Sequence, residues 1–260
     1  MLLAIDVGNT NSVFAVHDGG RFLADWRCAT DVKRTADEYF VWLRQLFDHH
    51  GVMPSAITEV VISSTAAGTL FNLRRLAEKY FRTAALVVGD PQVNIGIDVR
   101  VDPNARVGSD RLVNTLAGWQ SYGGDLVVVD FGTATTFDVV AEDGAYVGGI
   151  IAPGVNLSLK ALEDAAAALP QIDVARPAQV VGRNTVACMQ SGIYWGYVGL
   201  VEGLCARIAA ERGRPLKVIA TGGLSPLFAK GTQVFHAVDG DLTLRGLVAI
   251  WKLNRQEQVS

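Results

Sequence analysis

The chain has 260 residues, half of them hydrophobic and 19% charged, with a net charge of −3. That composition describes a soluble globular protein long enough for one large domain or two moderate ones, and it gives no electrostatic reason to expect nucleic acid or an anionic membrane as a partner. The cysteines Cys28, Cys188 and Cys205 are widely spaced and form no CxxC pair, which fits reduced thiols in a cytoplasm better than a disulfide frame.

The first predicted element is an apolar strand leading into "AIDVGNTNSVFAVHDGG" (residues 4–20). Asp6 closes the apolar run too early for the hydrophobic region of a signal peptide, so the expected location is cytoplasmic. Gly8, Asn9, Thr10, Asn11 and Ser12 follow at once; taken alone, these poor strand residues read as a hairpin turn. "TADEYFVWLRQLFDHHG" predicts a helix that starts with a Thr35–Glu38 capping box, ends at Gly51 and keeps Phe40, Leu43 and Phe47 on one face. A buried strand is predicted over 57–64, an amphipathic helix over 69–81, a strand over 85–89, and a helix over 109–122 with Ser109 or Asp110 near its cap.

At 127–140 the opening returns. "VVVDFGTATTFDVV" set against "LAIDVGNTNSVFAV" (3–16) places Asp130 and Gly132 where Asp6 and Gly8 stand, and each copy runs into an Asp-Gly hairpin signal, Asp18-Gly19 and Asp143-Gly144. Helices are then predicted over 155–169 and 185–213, a strand running into a glycine turn over 216–223, and a closing helix over 242–256. The apolar stretch 188–210 carries Gln190, Glu202 and Arg207, which argues for a packed helix over a membrane span. Its apolar residues (Met189, Ile193, Tyr194, Tyr197, Leu200, Val201, Leu204) lie on more than one side, which suggests a buried dimer contact, with a fully buried core helix as the alternative. The alternation predicts two three-layer α/β domains with mixed sheets, 1–120 and 121–260, facing each other.

Two glycine turns across a cleft can hold a nucleotide triphosphate. Gly8 and Gly132 let backbone N–H groups approach phosphate oxygens, and Asn9, Thr10, Thr133 and Thr135 add side-chain donors. Asp6 and Asp130, at strand ends, suit a metal or a polarised water. Gly222-Gly223 forms a third glycine turn that suits a nucleobase or ribose, or is an ordinary strand-to-helix turn. Neither a P-loop nor a G-x-G-x-x-G after a strand is present, which excludes the common nucleotide folds by motif.

"DVGNTN", "DFGTATTFD", "GGIIAPG" and "TGG", in this order on a duplicated pattern, resemble the acetate/sugar kinase–Hsp70–actin superfamily. Within it, "GSDR" (108–111), "LVN" and "GRNTVACMQSG" (182–192) resemble the type III pantothenate kinases, over essentially the whole chain. The resemblance implies duplicated ribonuclease H-like (actin-like ATPase) domains with mixed five-stranded sheets flanked by helices. It implies phosphorylation of the primary hydroxyl of pantothenate from ATP, the first step of coenzyme A synthesis, by a homodimer whose substrate pocket borders the subunit interface. By it, Asp6, Val7, Gly8, Asn9, Thr10, Asn11, Ser12, Val13 and Thr133 hold ATP phosphates, with Gly222 and Gly223 at the adenosine. Asp110 is the proton acceptor; Gly108, Ser109, Asp110, Arg111 and Thr185 contact pantothenate. Asp130 binds a monovalent cation, potassium or ammonium. Asp6 is expected to act through Mg²⁺-bound water, or by polarising the surroundings of the γ-phosphate.

Asp110, at a helix start beside Arg111, is expected to stay ionised at neutral pH. Thr185 also suits the N-cap of the long helix. Two positions depart from the family pattern. Ser109 stands where alanine is usual, and Val101 stands where many members carry an aromatic pantothenate contact; an aliphatic wall there can still hold the dimethyl portion. The competing readings are another phosphotransferase or phosphohydrolase of the superfamily, and a non-catalytic accessory regulator of transcription.

Overall fold

A computed structural model describes residues 1–166 and 168–257 of the chain. The repeat in the sequence is a repeat of sheet topology. In the first half, β1 (Leu2–Val7), β2 (Asn11–His17) and β3 (Phe22–Ala29) form an antiparallel meander. β4 (Glu59–Ser64) and β5 (Ala85–Val87) extend it in parallel, giving the order β3-β2-β1-β4-β5. In the second half β6 (Leu126–Phe131), β7 (Ala134–Val140), β8 (Tyr146–Pro153), β9 (Lys217–Thr221) and β10 (Ala237–Val238) are ordered β10-β9-β6-β7-β8, the same arrangement. Even the register repeats. Asp6 lies opposite Val13 and Ser63, and Asp130 opposite Thr136 and Thr221.

Helix α1 (Ala36–His49) starts at the expected capping box: Thr35 accepts from the Glu38 amide and Glu38 accepts from the Thr35 amide. α2 (Leu70–Leu76) passes into a π-helical turn at Ala77–Phe81, so the single helix expected over 69–81 changes pitch partway before Arg82 ends it in the left-handed region at φ 55°. α3 spans Ser109–Tyr122. α4 (Val155–Ala165) stops short of the expected residue 169 because Ala166 is extended; Ala167, within that expected span, lies outside the described residues. α5 (Thr185–Arg212) ends on Gly213 at φ 68°, a left-handed C-cap. Its N-cap is Asn184, whose side chain accepts from the Ala187 amide, and not Thr185, which is the first helical residue. α6 (Ser225–Phe228) is too short for its period to be read from sequence, as is β10. α7 (Leu242–Glu257) closes the chain.

Strand alternation divides β1 between two cores. Leu3 and Ile5 pack with Phe14, Leu43, Phe47 and Leu73 under α1 and α2. Leu2 and Ala4 pack with Val61, with Val113 and Leu116 of α3, and with Leu244, Leu247, Ile250 and Trp251 of α7. Coverage of both faces explains why the strand reads as a nearly unbroken apolar run. In the second sheet Val127, Val129 and Phe137 pack with Val155, Leu159, Tyr194, Val198 and Phe228 from α4, α5 and α6.

The chain forms two compact units: residues 1–97, 103–117 and α7 make the first, and residues 98–102 and 118–241 the second. This differs from a division at residue 120. α7 belongs with the first half because its apolar stripe covers the face of β1 and β4 that α3 leaves open. The segment 98–102 joins the second unit because Val99 bridges to Tyr146 at the start of β8. The apolar side chains that make α5 greasy on several sides are taken up by its own unit. Met189, Ile193, Tyr194, Tyr197 and Val201 are buried there, and Leu200 and Leu204 pack partly against them. Among the described residues no helix is long and apolar enough to cross a membrane.

Candidate active site

The first unit gathers its polar residues where β1 and β4 end. Gly8 donates its amide to the Asn11 carbonyl at 2.9 Å, closing a turn whose tip, Asn9, Thr10 and Asn11, is exposed. Thr30, at the end of β3, braces this turn. Its hydroxyl donates to the Gly8 carbonyl at 2.7 Å and its amide to the Thr10 carbonyl at 2.9 Å. With that proton committed, the buried Ser12 hydroxyl donates to Thr30 Oγ1 at 2.8 Å. The Thr65 amide donates to the Val7 carbonyl at 2.9 Å, so the loop after β4 lies against the strand that carries Asp6.

α3 starts beside that loop. The buried Ser109 hydroxyl lies 3.0 Å from Ser63 Oγ and accepts from the Ser64 amide at 3.1 Å, which pins the helix start to the end of β4. Ser109 thus spends its hydroxyl on the fold. The next residue, Asp110, accepts from the Arg111 amide at 2.8 Å through Oδ1. A β-carbon at Gly108 would stand 2.6 Å from that oxygen and 3.7 Å from Thr65 Cγ2, so the carboxyl fills the space glycine leaves beside Thr65. Burial pushes the Asp110 carboxyl up, and it outweighs the opposing pull of the Arg111 amide and charge. Strand register and these bonds therefore bring Asp6, the first glycine turn and Asp110 to the same end of one sheet.

In the second unit Asp130 is the next-to-last residue of β6, and the exposed pair Gly132-Thr133 turns the chain into β7. This turn is one residue shorter than the first, yet it closes the same way, with the Gly132 amide on the Ala134 carbonyl at 3.0 Å. The two turns also match in space. A β-carbon at Gly8 or at Gly132 would meet the accepting carbonyl at 3.4 Å, ordinary contact, and neither residue lies in the left-handed region. Gly222, after β9, is different. It sits at φ +86°, and a β-carbon there would stand 2.5 Å from Asp130 Oδ1 and 2.7 Å from the Phe131 amide nitrogen. The Asp130 carboxylate and the Gly222 turn thus share one small space.

The residues singled out from sequence fall on both units. Asp6 to Val13 and Gly108 to Arg111 are on the first; Val101, Asp130, Thr133, Thr185, Gly222 and Gly223 are on the second. Val101 is half-buried on the segment paired with β8, and Thr185 is exposed in the first turn of α5. Sequence reasoning passed over Thr30, Ser63 and Thr65, which brace the first turn and the start of α3. The one available signal was the Ser/Thr cluster at 63–65, directly after a buried strand.

Comparison with known proteins finds relatives over nearly the whole chain. The family model described as type III pantothenate kinase matches residues 2–207. A type III pantothenate kinase of Dinoroseobacter shibae is 62% identical over 256 residues, covering 98% of this chain and all of its own. Among solved structures, a Baf family protein from Campylobacter jejuni superposes with a TM-score of 0.61 at 19% identity, over 98% of this chain and 99% of that one. The activator of 2-hydroxyisocaproyl-CoA dehydratase from Clostridium difficile, solved with bound ADPNP, gives 0.56 at 11% identity over 100% and 97% of the two chains. At those identities the structural matches establish the fold, an actin-like ATPase fold with two mixed five-stranded sheets. The sequence match goes further, since it runs through both glycine turns and Gly108–Arg111: the chain belongs to the type III pantothenate kinase family.

Proposed function

We infer that the chain transfers the γ-phosphoryl group of ATP to the primary hydroxyl of pantothenate, the first step of coenzyme A synthesis. The observation that carries this reading is the placement of Asp110, held beside Thr65 at the sheet end that also presents the first glycine turn. The hydroxyl oxygen attacks the γ-phosphorus, the bond to the ADP oxygen breaks, and the hydroxyl proton passes to Asp110. Little covalent work is asked of the protein, because phosphoryl transfer gains mainly from positioning and charge neutralisation. A desolvated carboxyl with a raised pKa is a stronger proton acceptor than a solvated one, which suits it to a late proton transfer from an alcohol.

In this reading the turns at Asp6–Val13 and Gly132-Thr133 hold the phosphates. Neither Gly8 nor Gly132 is required by its own backbone angles or by its neighbours, so the bare side of each serves a group that comes from outside the chain. Gly222 and Gly223 take the adenosine, and Gly108 to Arg111, Val101 and Thr185 the pantothenate. Membership in a kinase family implies ATP with a divalent metal. Among the described residues no three His, Cys, Asp or Glu side chains cluster as a ligand set. Mg²⁺ keeps its waters and is held by phosphates plus one or two carboxylates. Asp6 would hold it through water, and the metal supplies charge neutralisation at the phosphates. Asp130, packed against the bare α-carbon of Gly222, would hold potassium or ammonium.

A homodimer belongs to the same reading, supported by Ile151, Leu157, Val180, Val181 and Val186, which stand exposed on the second unit. The test is ATP turnover with and without pantothenate, in potassium and in sodium buffers, with the mass in solution measured on the same sample. Turnover is expected to require pantothenate and to fall in sodium, from a particle of twice the chain mass. Turnover indifferent to pantothenate would sink the assignment. Potassium independence would remove only the cation at Asp130.

A further inference from the structure

The short second turn is held from beneath by Gly154. A β-carbon at this position would stand 2.7 Å from the Thr133 carbonyl carbon, closer still to its oxygen, and 2.8 Å from the Gly132 carbonyl oxygen. Its φ is −71°, open to any residue, so glycine is required here for space and not for angle. The Thr133 carbonyl therefore points into Gly154. All described peptides are trans, so the Ala134 N–H across that peptide points the opposite way. Whatever seats Gly154 sets the orientation of the Thr133–Ala134 peptide at the end of the turn.

Gly154 is seated by a ring of hydrogen bonds. The Tyr197 hydroxyl, from α5, donates to the Pro153 carbonyl at 2.8 Å. Ser158 Oγ lies 2.6 Å from the Tyr197 oxygen and, since the Tyr197 proton is committed, is the donor there. The Ser158 amide donates to the Gly154 carbonyl at 2.9 Å, which closes the ring. Pro153 is itself the β8 partner of Ala134, the residue after the turn. The Tyr197 ring packs with Phe228 in the core of the unit, a task phenylalanine would perform equally well. Packing does not call for the hydroxyl; the Pro153 carbonyl does.

We propose that Tyr197 is a positioning residue for phosphoryl transfer, whose hydroxyl, with Ser158, holds Pro153-Gly154 against the Thr133 carbonyl and so aims the second phosphate turn. The proposal rests on the reading of Gly132-Thr133 as a phosphate turn, and the experiment keeps the two apart. Steady-state kinetics in both substrates, with a thermal scan, are compared for Tyr197→Phe, Ser158→Ala, Ser158→Thr, Thr133→Ala and the Thr133→Ala/Tyr197→Phe double variant. Tyr197→Phe is expected to raise KM for ATP by ~5–10-fold, the worth of one neutral hydrogen bond, leaving KM for pantothenate unchanged. Ser158→Ala should act in the same direction, Ser158→Thr should restore the wild-type value, and the double variant should lose less than the product of its single effects. A raised KM for ATP in Thr133→Ala alone, with Tyr197→Phe at wild-type level, overturns the brace and keeps the phosphate turn. Wild-type KM for ATP in both variants overturns the phosphate reading itself. Equal rises in both substrates for Tyr197→Phe, with a lowered thermal midpoint, mean general loosening and also overturn the proposal.

Discussion

Asp110→Asn is expected to lower kcat by ~10²-fold or more while KM for either substrate changes little, because the amide keeps the shape and the acceptor for the Arg111 amide but cannot take a proton. Burial raises the Asp110 pKa above the ~3.9 of a free aspartate, so the active ionised form is lost as pH falls through that raised value. The acid limb of the kcat/KM profile should accordingly lie above the ordinary aspartate range. The stability sign is the reverse of the usual carboxylate case. A carboxyl whose folded pKa is raised contributes stability that is present below its unfolded pKa and lost as pH rises through the folded one. At neutral pH the charge on Asp110 is therefore a burden on the fold, and Asp110→Asn should hold or raise the thermal midpoint as it abolishes turnover. An inactive variant whose midpoint drops by many degrees would mean that Asp110 is structural. One that keeps most of its turnover would remove Asp110 from the chemistry.

Gly222→Ala and Gly8→Ala should part company. At Gly222 the left-handed angle costs ~1–2 kcal/mol for a residue with a β-carbon, and the collision with Asp130 and Phe131 adds ~1–3 kcal/mol of overpacking. For a chain of this size each kcal/mol lowers the midpoint by roughly 2–4 °C, so a fall on the order of 5–15 °C is expected together with weakened ATP binding. At Gly8 the added carbon makes only ordinary contact at 3.4 Å, so the midpoint should stay near wild type while KM for ATP rises. Calorimetry and ATP titration of the two variants decide the matter. A Gly8→Ala protein with both values unchanged would show that the first turn does not need its bare side.

The division between what was legible in the sequence and what was not follows the reach of each interaction. The strand–Asp–x–Gly pattern at Asp6 and Asp130 was legible because it is local and occurs twice, and twin sheets of identical order follow from it. The Thr35–Glu38 capping box and the Gly213 cap were legible because they too are local. Asn184 and Thr185 are adjacent and both favour N-caps, so composition could not choose between them; the bond from the Ala187 amide does. Thr30 and Gly154 brace turns some twenty residues away, and no spacing rule points to them. The upward direction of the Asp110 shift was not legible in the sequence. The neighbours visible in sequence, a helix start and Arg111, both favour ionisation, while the burial that opposes them exists only after folding.

The return of α7 to the first unit sets an order of events during synthesis. The second unit is continuous from residue 118 to 241 apart from a five-residue segment already made, and every part of it leaves the ribosome before α7 does. The first unit must wait, with the Leu2, Ala4 and Val61 face uncovered on the side that Leu247, Ile250 and Trp251 will occupy. The half of the chain made first is thus the half completed last, an inversion of the usual N-terminal-first sequence. A chain ending at Asp241 should show amide protection in β6, β7 and β9 and little in β1 and β4. Equal protection of both sheets would mean that α7 only decorates a finished fold.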